Sequence, residues 1–199
     1  MKLILASASP RRAEILRNAG LAFEVIRADV DETLLPGERA GDYVRRLAGQ
    51  KARAALERLG RDAPPAILIG ADTTVVASGQ ILGKPANDED ARRMLRLLSG
   101  QTHEVLTGIT VIRSADGYSA SQVETTRVSF ASLSESDIED YLASGEPFDK
   151  AGGYGIQGIG GRYARRIEGC YFNVMGLPLS RLWSMLRAFG WDERDAAGG

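Results

Sequence analysis

The segment Ala6-Ser7-Ala8-Ser9-Pro10-Arg11-Arg12 sets two hydroxyls and two guanidiniums around the start of a helix. Backbone N–H groups at such a start already carry partial positive charge. Arginines in the first turn are therefore unfavourable unless an anion fills the space between them. Either this is a capped helix with solvated arginines, or the N–H groups, hydroxyl donors and planar guanidinium forks together make a phosphate site. Lys51 falls inside an apolar stripe, where its ammonium either runs outward along the surface or meets a ligand. Lys84 stands at a sharp turn between Gly83 and Pro85. Asp72 follows the apolar run Ala66-Ile67-Leu68-Ile69-Gly70-Ala71, which predicts a carboxylate delivered at a strand end, a common place for catalysis or metal binding. Asp31 and Glu32 lie in an acidic loop. If they approach Asp72, these carboxylates make a hard oxygen-donor site suited to Mg²⁺ or Mn²⁺.

Two motifs imitate nucleotide-binding loops and are set aside. Gly153-Tyr154-Gly155-Ile156-Gln157-Gly158 has G-x-G-x-x-G spacing, but a polar turn precedes it and a strand-like segment follows, the reverse of the dinucleotide context. Gly79-Gln80-Ile81-Leu82-Gly83-Lys84 is one residue short of a phosphate-binding loop, and Pro85 stands where a magnesium-binding hydroxyl is needed. No G-x-S-x-G elbow accompanies the lone histidine, His103, so a serine triad is not expected and His103 is assigned to a surface or strand edge. Cys170 reads as an inert small apolar residue, and Trp183 and Met185 as core.

The 199 residues carry 25 Lys+Arg against 26 Asp+Glu, a formal net charge of −1. That balance gives no global attraction to nucleic acid or an anionic membrane, so anion binding must come from a local cluster. Only four of the 25 cations are lysines: Lys2, Lys51, Lys84 and Lys150. One Cys forms no internal disulfide, which fits a reducing, cytoplasmic setting. One Cys and one His exclude thiolate zinc and two-histidine metal sites. The opening apolar run of Leu3 to Ala6 is too short for a signal-peptide core, and no stretch approaches the ~20 apolar residues of a membrane span.

The elements that must hold these groups are legible in outline. Leu3 to Ala6 reads as a buried strand, followed by a helix with Ser9 as N-cap and Pro10 at its first position. Phe23 to Ile26 suits a second strand, and Asp29 to Arg39 a loop. Apolar positions at 3.6-residue spacing predict a long helix from Gly41 to Leu59. After the central strand come a hairpin (Val75-Val76 with Ile81-Leu82) and a helix capped by Asn87 or Asp88. Two long strands follow, Thr102 to Arg113 and Tyr118 to Phe130, then a helix capped by Ser134 with Asp137. A glycine-rich loop spans Glu146 to Gly161, strands are expected at Tyr163 to Ile167 and Tyr171 to Met175, and the last helix at Leu179 to Phe189. Mixed βα units and hairpins predict an α/β fold around a mixed twisted sheet with flanking helices.

Taken in order, Ser7-Ala8-Ser9-Pro10-Arg11-Arg12, Lys51-Ala52, Gly70-Ala71-Asp72-Thr73, Gly83-Lys84-Pro85, Ser99-Gly100-Gln101-Thr102-His103 and Gly176-Leu177-Pro178-Leu179 resemble the Maf family of nucleoside triphosphate pyrophosphatases. The resemblance runs over almost the whole chain. It implies an inosine triphosphatase-like fold with two lobes around a cleft, one domain over residues 1–191; the terminal residues 192–199 read on their own as a disordered tail. The resemblance also implies metal-assisted hydrolysis of a nucleoside triphosphate to the monophosphate and pyrophosphate. Carried over by position, Asp72 becomes the catalytic carboxylate and a metal ligand, with Glu32 as a second ligand. Ser7, Arg12, Lys51 and Lys84 become the phosphate-binding groups, and Arg11, Thr73 and Gln157 the specificity positions. The stretch from Asp149 to Gly158 is similar to the dTTP/UTP subgroup rather than the 7-methyl-GTP subgroup, with Gly153 where alanine is usual. A homodimer is a further family expectation. The family's association with arrest of septum formation keeps a regulatory role in cell division as the alternative.

Overall fold

A computed structural model describes residues 1–60 and 63–192. The tail expected at 192–199 falls outside those residues beyond Asp192. The chain divides into two compact units, the first built from Met1–Asp72, Thr107–Glu124 and the segment from Gly176, the second from Thr73–Leu106 and Thr125–Met175.

The elements are β1 (Lys2–Ala6), α1 (Pro10–Asn18), β2 (Phe23–Val25), α2 (Ala40–Leu59), β3 (Ala66–Ala77), β4 (Gln80–Leu82), α3 (Asp88–Leu98), β5 (Thr102–Arg113), β6 (Ser119–Phe130), α4 (Glu135–Ala143), β7 (Ala164–Glu168), α5 (Tyr171–Met175) and α6 (Leu179–Ala188). The seven strands form one mixed sheet, in the order β2-β1-β3-β5-β6-β7 with β4 paired to β3. In the first unit β1 pairs in parallel with β2 and with β3, Ala6 opposite Gly70. In the second, β3 and β4 form an antiparallel hairpin (Val75 opposite Leu82), and β6 pairs antiparallel with β7.

The α/β class with a mixed sheet is as expected, and three local expectations need correction. Asp72 does not end its strand, because β3 runs on to Ala77. The β-branched residues Thr73, Thr74, Val75 and Val76 favour extended backbone and carry it through. Tyr171 to Met175 is a short helix, not a strand. Five apolar-rich residues do not distinguish the two periods, and the packing of buried Asn173 decides: its amide donates to the Val105 carbonyl and to Thr126 Oγ1. His103 is 2% exposed, buried rather than on a surface.

The first unit packs α2 directly on the sheet. Its core joins Ile4, Ala6, Ala52, Ala55, Ala66, Leu68 and Ile112. Two glycines set the approach. A Cβ at Gly70 would lie 2.2 Å from the Ala48 carbonyl oxygen, and one at Gly108 2.3 Å from that of Val44. Side chains at either position would force the helix off the strands. The second unit has its own core, in which Phe130, Tyr141, Tyr154 and Tyr163 pack with Met94, Leu95 and Leu98 of α3. Its helix α4 carries the full capping box: Ser134 Oγ accepts the Asp137 N–H while Asp137 accepts the Ser134 N–H.

Candidate active site

The close packing of α2 on β3 brings Lys51 to Asp72. Lys51 Nζ lies 2.6 Å from Asp72 Oδ1 and 2.6 Å from Glu32 Oε1. Lys51 and Asp72 are 8% and 7% exposed, so the ammonium does not run out to water; it is held between two carboxylates. Burial raises the Asp72 carboxyl pKa above the ordinary value, opposed by the charges of Lys51 and Arg12 and assisted by that of Glu32.

Glu32 reaches this point because its loop is fastened to α2. Arg46 grips Glu38 with two hydrogen bonds of 2.7 Å and donates to the Thr33 carbonyl at 3.0 Å. Tyr43 donates its hydroxyl to the Glu32 carbonyl at 2.9 Å. Asp31 turns to a local task, accepting the Thr33 N–H at 2.9 Å. The three-carboxylate site is thus reduced to the pair Asp72 and Glu32.

Arg12 is the third buried charge. Its Nε donates to the Gly176 carbonyl at 2.8 Å, and one terminal nitrogen donates to the Ala71 carbonyl at 2.8 Å and to Ser7 Oγ at 3.1 Å. Its guanidinium therefore anchors the residue immediately before Asp72. Burial lowers the Arg12 pKa, and Asp72 counters. Ser9 occupies the N-cap of α1 without a side-chain cap bond, and its N–H goes instead to Ser7 Oγ at 3.1 Å. Arg12 thus links Ser7 Oγ to the backbone next to Asp72.

Ser7, Arg12, Lys51, Asp72 and Glu32 are accordingly brought together within the first unit. Arg11, also in that unit, is half-buried. Thr73, Lys84 and Gln157 belong to the second unit, Thr73 half-buried and the other two exposed. Lys84 stays in the turn after β4, next to the Gly83 carbonyl that accepts the Gly152 N–H at 3.0 Å. The hairpin turn is thereby tied to the glycine-rich segment.

The donor set fits a hard divalent cation shared with phosphate. Among the described residues no group of three or more His, Cys, Asp or Glu side chains makes a self-sufficient metal cage. Mg²⁺ characteristically takes one or two carboxylates and completes its shell with water and substrate phosphate oxygens. Asp72 and Glu32 supply that pair.

Sequence reasoning missed two arrangements. The network of Tyr43, Arg46 and Glu38 that places Glu32 has only the helical spacing of Tyr43 and Arg46 as a signal. In the second unit His103 Nε2 lies 2.7 Å from Tyr154 Oη, edge-on to Phe130, and its Nδ1 is buried without a hydrogen-bond partner. Burial lowers the His103 pKa to about 4. That ring is neutral and enclosed.

Among the described residues no helix is long and apolar enough to cross a membrane. Residues 2–189 match the Maf-like protein family. A dTTP/UTP pyrophosphatase of Hahella chejuensis is 50% identical over 191 residues, covering 95% of this chain and 92% of the relative. One from Anaeromyxobacter dehalogenans is 49% identical over 192 residues, covering 96% and 95%. A solved dITP/XTP pyrophosphatase from Mycobacterium abscessus is similar at a TM-score of 0.35 with 16% identity, covering 67% of this chain and 74% of that one. With a family match that spans nearly every described residue, the chain belongs to the Maf family.

Proposed function

We propose that this chain is a nucleoside triphosphate pyrophosphatase that hydrolyses dTTP and UTP to the monophosphate and pyrophosphate. The observation that carries the reading is that the buried ammonium of Lys51 faces two carboxylates, the buried Asp72 and the exposed Glu32. Similarity to relatives named dTTP/UTP pyrophosphatase supports the choice of substrate.

A triphosphate brings several negative charges, and Lys51, Lys84 and Arg12 with the Ser7 hydroxyl bind them. Asp72 and Glu32 would hold a divalent cation, Mg²⁺ or Mn²⁺, which would neutralise phosphate charge and make water more acidic. Asp72 orients the attacking water and takes its proton. The new bond forms from the water oxygen to the α-phosphorus. The bond from that phosphorus to the bridging oxygen breaks, and its electron pair leaves with pyrophosphate. Gln157 presents both a donor and an acceptor, which matches the adjacent C=O and N–H edge of uracil and thymine. Arg11 and Thr73 complete the specificity set.

A nucleotide panel tests the proposal: dTTP, UTP, CTP, ATP, GTP and 7-methyl-GTP, each with Mg²⁺ or Mn²⁺, with pyrophosphate and phosphate read separately. Pyrophosphate release fastest from dTTP and UTP is expected. No turnover across the panel, release of phosphate, or preference for 7-methyl-GTP would overturn it.

A further inference from the structure

The glycine-rich segment of the second unit is wrapped around an anion that belongs to the chain itself. Glu146 Oε2 accepts the Ile159 N–H at 2.7 Å. Its Oε1 accepts the Gly160 N–H at 3.2 Å and the Tyr141 hydroxyl at 2.9 Å. Tyr141 Oη in turn accepts the Gly155 N–H at 3.3 Å. Tyr141 is fully buried and packs edge-on to Tyr163, so this clamp is rooted in the core of the unit.

The positions of the glycines follow from the clamp. A Cβ at Gly158 would lie 2.4 Å from Glu146 Oε2, one at Gly160 2.6 Å from Tyr141 Oη, and one at Gly155 2.6 Å from Lys150 Cε. Each glycine makes room for a side chain that closes on the loop. Of the glycines that imitate a dinucleotide motif, Gly158 makes room for the Glu146 carboxylate, Gly155 chiefly for Lys150, and Gly153 faces Pro85; just beyond them the carboxylate takes backbone N–H groups as a bound phosphate would. Burial works to raise the Glu146 pKa, but the N–H donors and Tyr141 outweigh it and hold the carboxyl below the ordinary range. The clamp is therefore ionised and intact at neutral pH.

Gln157 sits between the fixed points, with Gly155 on one side and Ile159 and Gly160 on the other, and is itself exposed. We propose that Glu146, acting through Tyr141 and the loop N–H groups, is a positioning residue for base discrimination: it fixes the backbone that presents Gln157. This rests on the reading of Gln157 as the group that meets the base. Misplacing a recognition group by a fraction of an ångström weakens binding and selectivity without touching the bond-breaking step.

The test compares Glu146→Gln, Tyr141→Phe and Gln157→Ala, with kcat and KM measured for UTP and CTP and folding checked by thermal unfolding. For Glu146→Gln and Tyr141→Phe, the clamp predicts that KM for UTP rises about tenfold while kcat changes less than about threefold. It also predicts that the preference for UTP over CTP falls about tenfold. Glu146→Asp should restore part of that preference, since it keeps the charge. Tyr141→Phe keeps the question answerable if Glu146→Gln does not fold. Lost preference in Gln157→Ala with full preference in both folded clamp variants would overturn the clamp alone. Unchanged preference in Gln157→Ala with lost preference in the clamp variants would overturn the Gln157 reading and leave the clamp acting through another loop group. Unchanged preference in all of them would overturn both. A uniform fall in kcat on both nucleotides would also count against positioning of the base.

Discussion

Asp72 and Glu146 are both carboxylates in polar cages, and their surroundings push them in opposite directions. Asp72 faces Lys51 and, near it, a second carboxylate, and burial raises its pKa. Glu146 faces two backbone N–H groups and a tyrosine hydroxyl, and these hold its pKa down. The first cage is made of mobile charges that a ligand can re-partner. The second is made of fixed dipoles that no ligand can displace without unfolding the loop. Chemistry belongs where the partner is a long, flexible cation, and architecture where it is the backbone itself.

The largest expected effect breaks the first cage. Asp72→Asn keeps the shape and loses the charge, so kcat should fall about 10³-fold while dTTP binding stays within about threefold of the parent. Equilibrium binding beside single-turnover kinetics checks the split. Next in size is an acid-stability difference seated in the second unit. His103 is neutral when folded, with a pKa of about 4 against an ordinary 6.5, so below pH 6.5 the unfolded chain binds a proton that the folded chain does not. Stability should fall as pH drops from 6.5 towards 4, by roughly 3 kcal/mol from this group. Asp72, whose pKa is raised, acts in the opposite sense, so denaturant unfolding of the parent is compared with His103→Phe, which should lose the His103 component. Lys51→Arg comes third. It keeps the charge but puts a planar, bulkier group between Asp72 and Glu32, and kcat/KM should fall about 30-fold. The smallest is Ser134→Ala, which removes the α4 cap and should cost about 1 kcal/mol in stability. It should leave kcat and base preference alone, which separates general loosening of the second unit from loss of the Glu146 clamp.

Much of the scaffold was legible because its signals are local. The stripe of α2, the Asn87 and Ser134 caps and the long strands β5 and β6 are written in neighbouring residues. Ser7 and Arg12 stood out at a helix start that disfavours cations, and Lys51 and Asp72 as charges against apolar runs, and the structure gathers the four in one unit. What was not legible depends on long-range contact. Glu32 is placed by Arg46 gripping Glu38, and His103 is enclosed by Phe130 and Tyr154, residues far from it in the chain. The glycine-rich motif was rightly set aside as a dinucleotide loop, but that Gly158 makes room for the Glu146 carboxylate depends on a contact with a residue well before it in the chain.

The central claim concerns which phosphorus is attacked, and hydrolysis of dTTP in heavy-oxygen water reads it directly by mass spectrometry of both products. Attack at the α-phosphorus with Asp72 as proton acceptor predicts all of the label in the monophosphate, unlabelled pyrophosphate, and loss of both products in Asp72→Asn. Label in pyrophosphate, release of labelled phosphate, or unchanged turnover in Asp72→Asn would contradict it.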